Sequence, residues 1–285
     1  MPDKTRRNPV ILSLVAASAL LAFPGALADH YVAQNGQAPS GTFTSWDTAA
    51  SNIQEAVNVA YTNSTVWVGA GRYTVPANFV DYAGTNVVYI NRPLTLRSSN
   101  GVPASTIIDG QGSNRGIAVV YSGSTTNLFV VNGFTISNCS ANVTSALTSA
   151  RCYGGGILFL PSSGVTWTGV VQNCVICNNS VGPGSGYDFG GGIFGGATVS
   201  GRYFLLVTNC IIRGNLNYKG WGGGLYAGAY GGTMVHSCLF ENNSAISGGG
   251  CLGNYSTFIN CIFRNNAATG TVSNVGGGGV KGGYN

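Results

Sequence analysis

From Thr65 onward the apolar positions fall in short runs broken by Gly, Asn, Ser and Pro. Residues 65–68, 87–90, 94–96, 106–108, 117–120 and 129–131 are rich in β-branched and aromatic residues, which is the composition of strands. Gly69, Gly71, Gly84, Gly101, Gly110, Gly112 and Gly133 punctuate them. No helical period lies between the runs, so a doubly wound α/β sheet is excluded. Upstream, residues 30–33 read as a first short strand. Ile53, Ala56, Val57 and Ala60 then follow the spacing of one apolar helix face, with Ser51 and Gln54 as a capping box. A lone helix ahead of a strand array is expected to cover its first layer.

The second half repeats itself. Triple glycines stand at 154–156, 190–192 and 222–224, with another at 248–250 and a last run at 276–279. Between them lie Asn173-Cys174-Val175-Ile176, Asn209-Cys210-Ile211-Ile212, Ser237-Cys238-Leu239-Phe240 and Asn260-Cys261-Ile262-Phe263. A period of tens of residues marks an array whose units bury their core against their neighbours. An immunoglobulin-like sandwich would alternate but would not repeat these slots.

Taking Cys261 as inward puts Phe263 and Asn265 inside and Arg264 outside. The same frame puts Cys238, Phe240 and Asn242 inside, with Glu241 outside, and Cys210 and Ile212 inside, with Arg213 outside. A structural ladder is expected from Cys139, Cys174, Cys210, Cys238 and Cys261, joined by Asn178, Asn242 and Asn265 at strand ends, where Asn tolerates left-handed backbone. The intervening Val175, Ile211, Leu239 and Ile262 do not fit simple alternation. The glycine triplets are expected where chains pass too close for a side chain.

The N-terminus changes the picture of where this array works. Lys4, Arg6 and Arg7 precede an apolar stretch from Val10 to Phe23 and the small residues Ala26 and Ala28. That is the pattern of a secretory signal peptide over residues 1–28, cleaved after Ala28. The stretch is short of the roughly 20 residues needed to span a bilayer. The expectation is therefore a secreted or cell-surface chain whose mature part, 29–285, carries no transmembrane segment. A cap over about 29–64 and coils over about 65–285 divide it, with a C-terminal end that looks incomplete. Eight cysteines in an exported chain would ordinarily suggest disulfides. Five in one repeat slot suggest buried thiols instead, although neighbours about 4.8 Å apart also lie within bridging range.

Charged residues make up 7% of the chain, against about 25% in ordinary domains. The basic residues past the leader are scattered singly, without the patch that nucleic-acid binding uses. Cys152, Cys177 and Cys251, outside that repeat slot, match no zinc spacing with one another or with His30 or His236, and no cofactor motif is present. The glycine runs lack the Lys-Ser/Thr of a phosphate loop.

The segment from Ile53-Gln54-Glu55-Ala56-Val57 through Gly71-Arg72-Tyr73 to Arg92-Pro93-Leu94-Thr95-Leu96 and Thr106-Ile107-Ile108-Asp109-Gly110 resembles the N-terminal part of pectin-lyase-like proteins. The later units resemble polymorphic outer-membrane protein repeats, which carry GGA-plus-apolar and Phe-x-x-Asn motifs. Here these read Gly-Gly-Gly-Ile/Leu/Cys, with Phe240-Glu241-Asn242-Asn243 and Phe263-Arg264-Asn265-Asn266. The resemblance implies an all-β fold, a right-handed parallel β-helix with a short N-terminal capping helix. It also implies either a polysaccharide-directed enzyme or a non-catalytic, adhesive surface passenger.

The residues favour the passenger. The mature carboxylates are Asp29, Asp47, Glu55, Asp81, Asp109, Asp188 and Glu241, and none forms the paired motif of a glycoside hydrolase. Asp109 reads as a turn residue, and Asp188 and Glu241 as exposed. A carbohydrate-active enzyme would instead require two or more of Asp109, Asp188, Glu241, Arg151 and Arg202 to converge. His236 and Cys238, two apart, would share one face if a single strand held both. Tyr153, Tyr187, Tyr203, Tyr218, Trp221, Tyr226, Tyr230 and Tyr255 crowd the turns and the glycine runs. They are the candidate contacts for a polysaccharide or a cell-surface partner.

Overall fold

The computed structural model describes residues 28–35, 37–76, 85–123, 127–141, 152–161, 166–182, 188–196, 202–228, 231–271 and 276–283. Of the expected signal peptide, only Ala28 falls within these. The described chain is mostly β, with four parallel sheets and one α-helix, Ile53–Val59.

The chain visits the sheets in a fixed order. The first sheet has eight strands, among them Thr65–Val68, Asn127–Asn132, Thr166–Gln172, Arg202–Thr208 and Gly231–His236. The second has seven, including Thr106–Asp109, Thr135–Ser137, Val175–Cys177, Ile211–Arg213, Leu239–Glu241 and Ile262–Arg264. The third is built of two-residue strands such as Ser180–Val181 and Leu216–Asn217. The fourth follows the glycine triplets, as at Ile157–Pro161, Ile193–Gly195, Leu225–Ala227 and Cys251–Asn254. After the fourth the chain returns to the first, one strand further along. We call each such passage a round; every strand pairs with its counterpart one round away.

Inward side chains stack in columns. Val66, Leu96, Val131, Val171, Val207 and Val235 form one in the first sheet. Ile108, Ile136, Ile176, Ile212 and Phe240 form another in the second, fully buried. The helix lies against the strands His30–Val32, Thr65–Val68 and Asn86–Ile90, burying Ile53, Gln54, Ala56 and Val57. Its cap is Asn52, whose side chain accepts from the Glu55 amide, and not the expected Ser51–Gln54 box. Gln54 is buried instead. Its amide donates to the Tyr89 carbonyl and its oxygen accepts the Tyr89 N–H, which ties the helix to the fourth sheet.

The corners explain the repeat. Asn173, Asn209, Ser237 and Asn260 have φ of 51–55°, in the left-handed region, and turn the chain from the first sheet into the second. Asn138, Asn178, Asn242 and Asn265 do the same after the second sheet. The expected inward placement of Asn178, Asn242 and Asn265 is therefore corrected. A left-handed residue breaks the two-residue alternation, so these three face solvent. The next residue points in.

The buried ladder is Asn179, Asn215 and Asn243, continued by the half-buried Asn266. Asn215 Nδ2 donates to the Ile176 carbonyl at 3.0 Å and to Asn243 Oδ1 at 2.9 Å, while Asn215 Oδ1 accepts from the backbone N and Nδ2 of Asn179. Asn243 repeats the pattern with Ile212 and Asn266. Cys139 heads this column: its N–H donates to Asn179 Oδ1. It does not belong to the cysteine slot, which holds Phe134, Cys174, Cys210, Cys238 and Cys261, because Val175 pairs with Thr135 and Ser180 with Ser140. All eight cysteines are free thiols.

The triplets lie directly against the amides. Gly222 opens its triplet at φ 73°. A Cβ on Gly223 would be driven into the carbonyl oxygens of Ser244 and Gly249, and one on Gly224 would meet Asn243 Cγ at 3.1 Å. The expected close approach is thus backbone against backbone, with the amide column behind it.

Replacing Asn215 by Ala strips the partners from buried donors and acceptors in two rounds. We expect a loss of about 3 kcal/mol or more, at roughly 1–3 kcal/mol per group left unpaired. Asn178→Gly, at an exposed left-handed corner, should change stability by less than about 1 kcal/mol. Urea midpoints of the two variants test the assignment; equal losses would refute it.

Candidate functional site

Three surfaces carry the residues singled out above. The first is the outer side of the fourth sheet. The left-handed glycine that opens each triplet folds the preceding residue back beside the outward residue that follows. Tyr153, Phe189 and Trp221 form one row, bridged in parallel, and Leu158, Phe194 and Tyr226 form the row beside it. Tyr153 stacks on Phe194 at 4.6 Å, Phe194 on Tyr226 at 5.5 Å, and Phe189 meets Tyr226 at 4.5 Å. The interlocking shields them: Phe189 and Phe194 are buried, and Tyr153, Trp221 and Tyr226 half-buried.

Of the eight expected contacts, the structure brings together Tyr153, Trp221 and Tyr226. Tyr203 turns inward, its hydroxyl donating to the Gly195 and Gly228 carbonyls at 2.9 Å, and burial pushes its pKa well up. Tyr218 and Tyr255 are exposed. Tyr187 and Tyr230 lie outside the described residues. A single exposed aromatic row is not what these residues form. Phe189 and Phe194, which complete the cluster, flank the triplet 190–192 just as Trp221 and Tyr226 flank 222–224; that symmetry was the available signal.

The second surface holds the charges. Asp109 Oδ2 accepts from Arg72 Nη1 at 2.6 Å, and its Oδ1 accepts from the Gln111 amide and from Asn138 Nδ2. Burial raises its pKa, but these hydrogen bonds and the Arg72 charge outweigh it and hold the carboxyl below its ordinary value. The turn role is as expected, with Arg72 added. Glu241 pairs with Arg264 at 2.9 Å on the outer side of the second sheet. Its slot lies four rounds from that of Asp109, through Ser137, Cys177 and Arg213. At about 4.8 Å per round that is about 19 Å, too far for the carboxylate pair of a glycosidase. Asp188 is fully buried and accepts from the Cys152 amide, so its expected exposure is corrected. Arg151 and the Arg202 side chain fall outside the described residues.

The histidines do not assemble a nucleophile. His236 faces outward on the first sheet, whereas Cys238 lies inward beyond the left-handed corner at Ser237. The corner overturns the shared face that the two-residue spacing implied. Burial raises the thiols of Cys139, Cys210 and Cys251, which disfavours their thiolates. The Cys238 thiol is lowered by its hydrogen bond with Cys210 but is buried in the core, away from the His236 ring. Among the described residues no three of His, Cys, Asp or Glu gather as a metal site.

The third surface is a groove of about 660 Å³ along the corner between the first and second sheets. Asn173, Asn209, Ser237 and Asn260 form one side, Val175, Ile211, Leu239 and Ile262 the other, with Cys174, Cys210 and Cys238 beneath. Gly101, Pro103 and Ala104, in and before the 3-10 turn Pro103–Ser105, close one end. The four aliphatics, which alternation left unexplained, point outward because the corner resets the register. Ile211 is 39% exposed and Ile262 61%.

No known protein family matches the chain, and neither a curated relative nor a solved structure matches it. Among the described residues no helix is long and apolar enough to cross a membrane.

Because the Asp109 carboxyl titrates lower in the folded chain than when unfolded, its contribution to stability is complete above about pH 4. It should be lost as pH falls through the depressed value. Urea unfolding from pH 6 to pH 2 should show a smaller acid loss in Asp109→Asn than in the parent. Parallel curves would refute the assignment.

Proposed function

We propose that the chain is a right-handed parallel β-helix exported to the cell surface or medium, where it serves as a structural or adhesive passenger. The fixed order of sheets, the parallel pairing of every strand and the continuous amide column support the architecture. The basic–apolar–small pattern of residues 1–28 supports export. The observation that carries the adhesive role is the long outer surface over successive rounds, where half-exposed apolar and amide side chains recur at one position. Contact with another surface uses a repeated array in this way; a reaction concentrates its groups at one point.

The test is direct. The purified chain, incubated with pectin, polygalacturonate and intact cells, is expected to be retained on the cells while releasing no new sugar ends from either glycan. New unsaturated or reducing ends that co-purify with the chain would sink the passenger reading and restore a polysaccharide-cleaving one.

A further inference from the structure

We infer that the groove between the first and second sheets binds an extended, uncharged polysaccharide lying along the direction in which the rounds stack. The inference deepens the adhesive reading and rests on it.

The observation is an asymmetry within single strands. Each three-residue strand of the second sheet has two outward positions. The later one holds the buried Cys177 and then the charged Arg213, Glu241 and Arg264 in successive rounds, an ordinary charged surface over the last three. The earlier one is aliphatic in all four of those rounds, with Ile211 and Ile262 exposed and Val175 and Leu239 half-buried where the groove runs. Strand propensity does not require this, since Thr135 fills the same position one round earlier. Nor does the core require it, since the inward residues of these strands already fill theirs. Exposed apolar side chains also occur on the first sheet, at Leu128, Phe204 and Ile259, but in this groove the aliphatics adjoin one another over four rounds, as a contact surface requires.

The opposite side of the groove sets the chemistry. The corner backbone accounts for Asn173 and Asn209 by itself, so their presence is not evidence of a ligand. Their hydrogen bonding is informative, however. Asn209 Nδ2 donates to Asn173 Oδ1 at 2.7 Å, and Asn173 Nδ2 to Asn132 Oδ1 at 2.9 Å. Each amide is thereby held in file, and its second N–H and second lone pair remain for another partner. The lining contains no charged side chain. An occupant must therefore be neutral, able to both donate and accept hydrogen bonds, and apolar on its other side. It must also be long, because the same lining recurs at about 4.8 Å over four rounds.

A neutral glycan meets each condition, with hydroxyls at the ring edges, C–H groups on the ring faces, and an advance of close to one round per equatorially linked ring. A peptide strand does not. Its side chains repeat every two residues, at roughly 6.6 Å, out of step with the rounds. The backbones of Val175–Cys177, Ile211–Arg213 and Leu239–Glu241 are already paired on both sides, so three of the four groove strands offer no edge for strand addition. An acidic glycan would find no cation in the groove.

Affinity electrophoresis of the full chain in gels containing soluble xyloglucan, hydroxyethyl cellulose or polygalacturonate tests this. The neutral gels should retard the chain, unaffected by salt, and polygalacturonate should not. Ile211→Glu with Leu239→Glu should weaken retention by about tenfold or more. Asn173→Gly with Asn209→Gly, which keeps the left-handed corners, should weaken it too, while Arg213→Ala on the neighbouring position should leave it unchanged. Circular dichroism and thermal unfolding establish that each variant folds. Stronger retention by polygalacturonate, unchanged retention in both groove variants, or no retention by any neutral glycan would each overturn the proposal. So would a dimer of the chain that the Glu variant dissociates and that retains no glycan. Absence of neutral-glycan retention in the parent chain with cell adhesion intact would overturn the groove proposal alone, whereas new sugar ends would count against the passenger reading itself.

Discussion

Every round of this chain must match the next at one fixed distance, about 4.8 Å, and the amide column from Asn179 to Asn266 is where that match is most demanding. Each amide spends its donors on a carbonyl of the preceding round and on the next amide in the column. A residue of any other length would leave buried groups unpaired in two rounds. The glycine triplets face the same constraint from the other side, since a side chain there would occupy the space the amides and the neighbouring carbonyls need. Amide column and triplet therefore recur together, and the corners that aim the amides inward recur with them.

A stack built this way frees its outer surface from structural duty. Cores close through inward columns only, so outward positions can hold charge, aromatic clusters or exposed aliphatics without unsettling the rounds. The chain uses that freedom unevenly. Aromatic side chains on the fourth sheet shield one another. Charges pair across neighbouring rounds on the second sheet, as Glu241 does with Arg264. Between them, one corner keeps its aliphatic and amide positions open. The proposed contact surface is thus an outcome of what the stack leaves unspecified.

Much of this was legible from spacing. Strand runs, the capping helix, the inward Cys174, Cys210 and Cys238 and the outward Arg213, Glu241 and Arg264 all follow from alternation and repeat. The ladder residues do not, because alternation assumes continuous extended backbone. At Asn178, Asn242 and Asn265 the backbone turns left-handed, and the inward position passes to the following Asn. The Phe-x-x-Asn motif already pointed to Asn243 and Asn266; counting from the phenylalanine across the corner would have found them. Cys139 was misplaced for a related reason. It follows an Asn as Cys174, Cys210 and Cys261 do, but it stands after the second corner and they stand after the first.

The sequence by itself determined the all-β character, the stacking of repeated units and the shortage of charged groups from which to build chemistry. These depend on composition and on local periodicity, which each short segment carries on its own. Only the tertiary structure decided which asparagines are buried, that Asp188 is enclosed, that Tyr203 turns inward, and that Val175, Ile211, Leu239 and Ile262 line an open groove. Those outcomes depend on the register between rounds some 23 to 43 residues apart in the chain. A left-handed corner changes the facing of everything after it, so no single segment contains the answer.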